Sequence, residues 1–491
     1  MTVTEERQAA TTGSDRAFKV EQHGIDFIPE AERWAKPRDL FGMWAGASFQ
    51  IEYFVYGVIL MTFGLSFTQA VWITIVGNLS FVLLGLTSLQ GPDAGTTTMM
   101  INRASFGQNG SRVISLFNWA TQVGFETEGL ILVVFAAEVL AHKAGFLPGT
   151  PAKVIFILAA VGIQLLLPLF GHATVVKTLR ALILPFFVLF ALLAGLTLSK
   201  VHVASYSHGG SWQLVMVGLA FTIALSGLGW TENGNDYSRY LPRNASRKAI
   251  VGWVTLGTAV PEILVMLLGV AVGTYASGIA TNQNPFAAFI GAKPVVSTWF
   301  VVPFLVVSLF QLFAINSLDL YSSGVTLQAV GVRVRRWQAV VIDTAIACGI
   351  TFYAIFSSSF FNLLKDFVTG VICWIAPWMA IYLVDWLLRR FRHDPVELQR
   401  TGPGSLYWRS GGIHWPAIIA QALGIFVAIE SVSQLFFVGQ ISRWIGADKI
   451  GVYPDFSIFF SVVVAGLVYY VLARKGVHRE AERQVEPLGT L

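Results

Sequence analysis

Twelve long apolar runs, separated by short polar segments, occupy the chain from residue 39 to residue 473. A run of about 20 apolar residues is the length at which an α-helix crosses the hydrocarbon core of a bilayer. The runs are continuous rather than alternating, so they do not fit the strands of an outer-membrane barrel. The pattern predicts an all-α polytopic membrane protein whose helices, numbered 1 to 12 in chain order, span 39–65, 68–88, 113–141, 153–171, 178–199, 213–234, 249–275, 296–323, 338–358, 361–388, 415–437 and 455–473.

Two of these helices carry small and polar residues halfway across the membrane. Helix 1 holds Gly46, Ala47 and Ser48 before Glu52, and helix 6 ends in the polar, glycine-rich segment 226–236. Unwound backbone is tolerated in a membrane where it lines a cavity, and matching breaks in two halves of a transporter mark an inverted repeat with a site at the midplane. Helices 1 and 6 lie five apart, which predicts two five-helix repeats. The alternative is that the glycines only allow close helix packing.

Lys and Arg set the predicted orientation, because cytoplasmic loops are enriched in them. With both termini inside, 26 of the 33 Lys and Arg residues fall on the cytoplasmic side and six on the opposite side. The positive charges behind the net charge of +5 are therefore distributed as membrane topology predicts, and they do not indicate nucleic-acid binding. The predicted parts are a cytoplasmic N-terminal tail at 1–38, a first repeat at 39–199, a second repeat at 213–388, two extra helices at 415–473 and a cytoplasmic C-terminal tail at 474–491.

Composition and motifs argue against an enzyme. Only 12% of the residues are charged and 55% are hydrophobic, whereas a soluble domain carries about 25% charged residues. The two cysteines, Cys348 and Cys373, lie inside apolar runs and are expected to pack there as free thiols. No CxxC, HExxH, GxGxxG or Walker pattern occurs. We therefore expect a multi-pass protein of the cell membrane with no cofactor other than a coupling ion.

Six stretches of the sequence, in the right order on twelve helices, resemble one known family. They are Gly-Ile-Asp-Phe-Ile-Pro at 24–29 with Glu32 and Arg33; Trp44 with Gly57; Ala-Ser-Phe-Gly at 104–107 with Val-Gly-Phe at 123–125; Trp230 with 236–244; 316–324; and Ile-Ala-Pro-Trp at 375–378 with Asp385. On these residues the chain resembles the nucleobase–cation symporter family, in its purine–cytosine permease branch.

The resemblance implies a five-plus-five inverted repeat of the amino-acid-transporter (LeuT-like) type and cation-driven symport by alternating access. It places the substrate between helices 1, 3, 6 and 8, against aromatic rings. The sequence departs from the family pattern at several of these positions. Ser48 stands where the branch often has Asn, Phe125 where it often has Trp, and Glu52, Glu126 and Glu128 where neutral or apolar residues are expected.

The candidate substrate residues combine carboxylates with aromatic rings. A charge in the bilayer centre costs about 2.5–3.5 kcal/mol even on the lenient scale, so intramembrane acids need partners, water or a proton. A carboxylate also accepts two parallel N–H bonds from an amidine-like edge. The predicted substrate-binding residues are Ser48, Glu52, Gln122, Phe125, Glu126, Glu128, Trp230, Glu232 and Asn316.

The coupling ion is left open between H⁺ and Na⁺. The resemblance implies a sodium site of helix 1 carbonyls, near Gly46 and Ala47, with helix 8 side chains, for which Ser308 and Asn316 are candidates. Alternatively, a desolvated glutamate could bind a proton, because burial disfavours the charged form. At the cytoplasmic end of helix 6, Asp236 and Arg239 could pair to hold a gate or form a solvated loop pair.

The predicted function is import of a small, flat, nitrogen-rich molecule such as cytosine or a purine. The carboxylates motivate an alternative, a cationic or urea- or guanidine-like nitrogen compound carried by the same machinery. A membrane sensor that binds without concentrative uptake is a third possibility. The expected partners are the substrate and the lipid bilayer, with no nucleic acid, and the oligomeric state is open.

Overall fold

The computed structural model describes residues 24–166, 172–291, 294–357, 360–434, 437–446 and 451–483. Within them, twelve main helices occupy the predicted positions. Residues 1–23 and 484–491 of the predicted tails lie outside the described residues. The helices are Pro37–Ser48 and Ile51–Met61 (helix 1), Phe67–Asn78 and Phe81–Thr87 (helix 2), Gln108–Lys143 (3), Thr150–Gln164 (4), His172–Thr197 (5), Trp212–Ile223 and Gly234–Ser238 (6), Arg247–Gly273 (7), Thr298–Val330 (8), Arg336–Ser357 (9), Phe360–Leu388 (10), Trp415–Ser431 (11) and Ser457–Arg483 (12).

Length and hydropathy support the membrane assignment. Eight helical segments of the described chain are long and apolar enough to cross a membrane, and three shorter apolar helices add to them. Helices 8 and 12 run on to Val330 and Arg483, past the predicted ends at 323 and 473, and helix 11 stops at Ser431 instead of 437. Helices 8 and 12 are longer than predicted because hydropathy marks where apolar residues stop, whereas helical hydrogen bonding continues into polar sequence. Helix 11 is shorter because Val432 takes an extended conformation (ψ 143°).

Helix 1 is broken at Phe49 and Gln50, as predicted. The N–H of Ile51, which restarts the helix, donates to Gln311 Oε1 on helix 8 at 3.1 Å. An amide at this depth needs such an internal partner, because lipid offers none. The close-packing alternative is also realised at Gly46, where a Cβ would lie 2.2 Å from the Leu179 carbonyl oxygen on helix 5.

Helix 6 is broken at the predicted segment. A π-helical turn at Ala224–Leu228 contains Ser226 in a non-helical conformation (φ −101°, ψ −119°). The break contacts helix 2, which is itself interrupted at Leu79 and Ser80. Ser226 Oγ donates a hydrogen bond to Asn78 Oδ1 of helix 2 at 2.8 Å. Gly227 packs so closely that a Cβ would lie 2.1 Å from the Ser80 carbonyl carbon. The interruption of helix 2 is not predicted by the sequence pattern.

The helices pack in two groups of four. Helix 7 contacts helices 1 and 2, helix 2 contacts helices 1 and 6, and we call these four helices the bundle. Helices 3, 4, 8 and 9 all contact one another and form what we call the scaffold. Each group takes two neighbouring helices from each predicted repeat, as a five-plus-five arrangement requires. Helices 10, 11 and 12 pack together at the side. The broken helices 1, 2 and 6 therefore belong to the bundle, and each scaffold helix is continuous over the range given for it above.

Candidate substrate site

A small cavity lies where the breaks of helices 1 and 6 meet helices 3 and 8. Its volume is about 20 Å³, room for one or two water molecules, so the site is contracted in this conformation. Its walls combine acidic, aromatic and aliphatic side chains. The lining residues are Gln50, Glu52, Tyr53, Tyr56, Phe125, Glu128, Leu225, Trp230, Ile315 and Asp319.

Two aromatic rings from different groups of helices face each other at the cavity. Phe125 of helix 3 and Trp230 of helix 6 stack with centroids 6.3 Å apart and planes 14° from parallel. Phe367 of helix 10 packs edge-on against Phe125 at 4.9 Å, and Trp44 of helix 1 packs edge-on against Trp230 at 5.7 Å. The predicted stacking pair is therefore held in place by rings from two further helices.

Three carboxylates surround the same cavity: Glu52 on helix 1, Glu128 on helix 3 and Asp319 on helix 8. We call them the cavity acids. The Tyr56 hydroxyl donates to Glu128 Oε1 at 2.5 Å, and Oδ1 of Asp319 is buried without a hydrogen-bond partner in the described chain. All the residues that line the cavity in the described chain lack positive charge. The site is thus prepared for N–H donors, a cation or protons.

The structure places Ser48, Gln122 and Glu232 outside the cavity lining. The Ser48 hydroxyl lies beside the carboxylate of Glu262 on helix 7, an acid that the sequence pattern did not connect with the site. Gln122 Nε2 donates to Glu232 Oε1 at 3.0 Å and to Asn233 Oδ1 at 3.1 Å. The predicted roles of these three residues as direct cavity ligands do not fit this conformation, because their polar atoms are directed toward other helices.

Glu126 and Asn316 also point away from the cavity. Oε1 of Glu126 accepts from Gln164 on helix 4 at 2.7 Å, and Nδ2 of Asn316 donates to the Glu126 carbonyl at 3.1 Å and to Gln164 Oε1 at 3.2 Å. Glu126 lies two residues from Glu128, and positions two apart point to nearly opposite sides of a helix. Glu126 and Asn316 therefore do not line the cavity in this conformation, and their direct contact with substrate stays a prediction.

The candidate sodium ligands do not converge. Ser308 and Asn316 are eight residues apart on one continuous helix, which separates them by about 12 Å, and the Ser308 hydroxyl donates to Phe304 O at 2.8 Å. Gly46 packs on helix 5 instead, and its neighbour Ala47 is buried beside it. One ion cannot bind to all four residues.

Asp236 and Arg239, the predicted gate, are both buried at the end of helix 6. The described contacts of the two side chains go to different partners. Asp236 Oδ1 accepts from the Thr98 N–H at 3.0 Å, whereas Arg239 donates to Gly24 O at 2.6 Å and to the Tyr321 hydroxyl at 2.8 Å. The solvated alternative is excluded by burial, and each residue anchors a different neighbouring segment.

Sequence reasoning missed part of the lining. Tyr53, Tyr56 and Asp319 line the cavity but were not selected. A usable signal existed: Ile315 and Asp319 are four residues apart and Tyr53 and Tyr56 three apart, the spacings that share one face of a helix. What the pattern could not supply was which face of helix 8 turns toward helix 1.

Comparisons with known proteins identify the family of this chain. The family model described as permease for cytosine/purines, uracil, thiamine, allantoin matches residues 27–449. A putative purine-cytosine permease of Bacillus subtilis, YxlA, is 28% identical over 96% of this chain and 100% of its own length. Purine-cytosine permease fcyB of Emericella nidulans is 26% identical over 88% of this chain and 85% of its own length.

Solved structures show the same fold. Mhp1, a nucleobase-cation-symport-1 family transporter, in a closed conformation with bromovinylhydantoin bound, matches with a TM-score of 0.70 at 18% identity, over 94% of this chain and 96% of that chain. The inward-facing conformation of Mhp1 matches with a TM-score of 0.68 at 17% identity, over 97% and 100%. The chain therefore belongs to the nucleobase–cation symporter family, in its purine–cytosine permease branch, and is a membrane transporter rather than an enzyme.

Proposed function

We propose that this protein imports a flat, nitrogen-rich heterocycle of the nucleobase type by proton symport with alternating access. It would do so in the cell membrane, with both termini in the cytoplasm, as the distribution of Lys and Arg favours. The observation that carries the proposal is a cavity that combines two stacked rings with three carboxylates. Rings bind the flat faces of a heterocycle, and carboxylates accept its N–H groups.

The contracted cavity supports a cycle with a conformational change. Two face-to-face contacts of about 3.5 Å each require about 7 Å between the outer rings, while Phe125 and Trp230 are 6.3 Å apart. A flat substrate therefore enters between them only after helices 3 and 6 separate. Helix 3 belongs to the scaffold and helix 6 to the bundle, so binding couples to movement between the two groups.

The proton is favoured over sodium as coupling ion by the chemistry of the described site. The candidate sodium ligands lie too far apart, whereas three carboxylates surround a cavity without a positive side chain in the described chain. A proton removes the cost of a buried charge without requiring a fixed coordination shell. Acidic side chains are thus the groups that we expect to bind the coupling proton.

The same acids favour a second substrate class, a cationic or guanidine-like nitrogen compound. Such a compound would neutralise the cavity acids directly and would not need large ring faces. Competition separates the two classes: labelled cytosine or adenine uptake is measured against panels of neutral nucleobases and of guanidines.

The experiment is performed in proteoliposomes at varied pH and Na⁺. Accumulation that is abolished by a protonophore and indifferent to Na⁺ removal supports proton symport of a nucleobase. Accumulation that requires Na⁺ contradicts the proton. Accumulation of a labelled guanidine, with no accumulation of labelled cytosine or adenine, contradicts the substrate class.

A further inference from the structure

A second polar cluster is buried inside the scaffold, on the side of helix 3 that faces away from the cavity. It joins all four scaffold helices, and every member is at least half-buried. Its members are Trp119 and Glu126 on helix 3, Gln164 on helix 4, Asn316 and Ser323 on helix 8, and Asp343 and Thr344 on helix 9.

The two acids of this cluster differ in how their oxygens are satisfied. Asp343 accepts two hydrogen bonds, from Trp119 Nε1 at 2.5 Å and from Ser323 Oγ at 2.6 Å. Glu126 accepts one side-chain bond, from Gln164 Nε2 at 2.7 Å. Its other oxygen, Oε2, is buried without a hydrogen-bond partner in the described chain. Donors stabilise the charged form of a buried carboxylate. Asp343 has two bonded donors, whereas Glu126 has one bonded donor and two acidic neighbours, Asp343 and Asp319.

A hydrogen-bond acceptor for the protonated carboxyl group of Glu126 lies next to it. Thr344 Oγ1 is also buried without a hydrogen-bond partner in the described part of the chain, and this hydroxyl lies within reach of the Glu126 carboxyl group. A protonated Oε2 can donate to Thr344 Oγ1, which pairs both groups at once. The amide of Gln164 is oriented for its bond to Oε1, because its own oxygen accepts from Asn316.

We propose that Glu126, with Thr344 as hydrogen-bond acceptor, is the proton-binding site of this transporter and is separate from the substrate cavity. The charged groups that act on it are Asp343 from helix 9 and Asp319 from helix 8. Helix 4 contributes only the neutral amide of Gln164 to its hydrogen bonds. Both charged neighbours are acids, and like charges close together favour protonation of one of them.

The position of Glu126 explains how a proton could be coupled to the substrate. Glu126 interacts electrostatically with Asp319, one of the cavity acids. A negative charge on either carboxylate makes a charge on the other more costly, so a proton on Glu126 favours the ionised form of Asp319. That form accepts N–H bonds from the substrate. Proton and substrate then bind with positive cooperativity, which by linkage is reciprocal, and they travel together.

This inference rests on the proposed proton symport and is tested with Glu126→Gln in proteoliposomes. Two quantities are measured: accumulation driven by a pH gradient, and exchange of labelled against unlabelled substrate without a gradient. Glutamine keeps the bond from Gln164 but cannot bind a proton. We expect gradient-driven accumulation to fall at least tenfold while exchange stays within about threefold of wild type. Full gradient-driven accumulation by Glu126→Gln would overturn the site.

Asp343→Asn provides a second test that does not remove the proposed site. It deletes one of the two acids that favour protonation of Glu126, so the pH midpoint of accumulation should shift to lower pH by about one unit. An unshifted midpoint contradicts the proposal, even where Glu126→Gln fails to fold. If wild-type accumulation itself does not respond to a pH gradient, proton symport as a whole is wrong, and this outcome is distinct from a misplaced site.

Discussion

Buried carboxylates are held in two different ways in two regions of this molecule. Where helices 10 and 12 meet, Arg389 Nε donates to Asp385 at 2.7 Å and Nη2 donates to Glu480 at 3.1 Å. Glu480 also accepts from Arg409 Nε at 2.6 Å, so both acids of this terminal network are paired with arginine. The cavity acids, by contrast, have a tyrosine hydroxyl and neutral neighbours but no cation in the described lining.

The difference separates structure from function. A buried acid that is paired with arginine stays ionised and does not take up a proton. The terminal network therefore serves to join helices 10 and 12. A buried acid without a cation can change its protonation state or accept a positively charged or N–H-rich ligand. Intramembrane acids without cations are therefore the ones to expect at the site of transport.

The largest expected effect is on the terminal network. Arg389→Ala leaves Asp385 buried without its cation, and removing one partner of a buried ion pair destabilises by about 3–5 kcal/mol. Thermal unfolding in detergent should show a clearly lower midpoint for this variant. Arg400→Ala is the control, since Arg400 is mostly exposed in its pair with Glu397 and should change stability by at most about 1 kcal/mol. Equal midpoints for the two variants would contradict the structural role of Arg389.

A smaller effect, on binding rather than folding, is expected at the cavity. Glu128→Gln removes a carboxylate, and hydrogen bonds to a charged group contribute about 1.5–3 kcal/mol. Substrate Kd, measured by equilibrium binding of labelled substrate, should rise by about tenfold to 150-fold. Glu138→Gln is a matched control on the same helix, because Glu138 pairs with Lys153 at 2.9 Å away from the cavity. An unchanged Kd for Glu128→Gln would remove this residue from the site.

The aromatic pair gives the next effect and distinguishes the two substrate classes. Stacking of a base on an aromatic ring contributes about 1–3 kcal/mol, so Phe125→Ala should weaken nucleobase binding by about fivefold to 150-fold. Binding of a small guanidine, which has little ring area, should change by less than about threefold. Phe117→Ala serves as control, since Phe117 is on the same helix and packs against Trp374 outside the cavity lining. Equal losses for nucleobase and guanidine would argue against stacking on Phe125.

The smallest effect concerns pH and a histidine outside the membrane. Burial lowers the pKa of His393 to about 4 from its ordinary 6.5. Between these values the unfolded chain binds the proton and the folded chain does not, so stability falls as pH drops from 6.5 toward 4. The contribution lost at pH 5.5 is about 1 kcal/mol. The drop in unfolding midpoint between pH 7.5 and 5.5 should be smaller in His393→Gln, and an equal drop would contradict a neutral buried His393.

The helices could be predicted from the sequence because each membrane helix corresponds to a long run of apolar residues. The breaks in helices 1 and 6 were visible as small and polar residues in the middle of such runs. The turn at Leu79 and Ser80 in helix 2 is not predicted, because Gly77, Asn78 and Ser80 inside a long apolar run are also compatible with a continuous helix. At this turn Asn78 and Ser80 bond to the break of helix 6, a tertiary contact that the pattern of a single segment does not contain.

The site could be predicted only in part, because a sequence does not fix how a helix is rotated. On helix 3, Phe125 and Glu128 face the cavity, while Gln122 and Glu126 face other helices. This helix is polar on several sides, so periodicity alone gave no unique inward face. Rotation is decided by the neighbours, here by Gln164, which holds the carboxylate of Glu126 on the far side.

The bond between the Ile51 amide and Gln311 has a mechanical consequence. Each half of helix 1 keeps its own ladder of backbone bonds, so either half can tilt without bending a rigid rod that spans the whole bilayer. A tilt that carries Ile51 away from helix 8 releases one amide, which water entering the cavity can satisfy. The alternating access that we propose would use such a tilt to open one membrane face while the other stays closed.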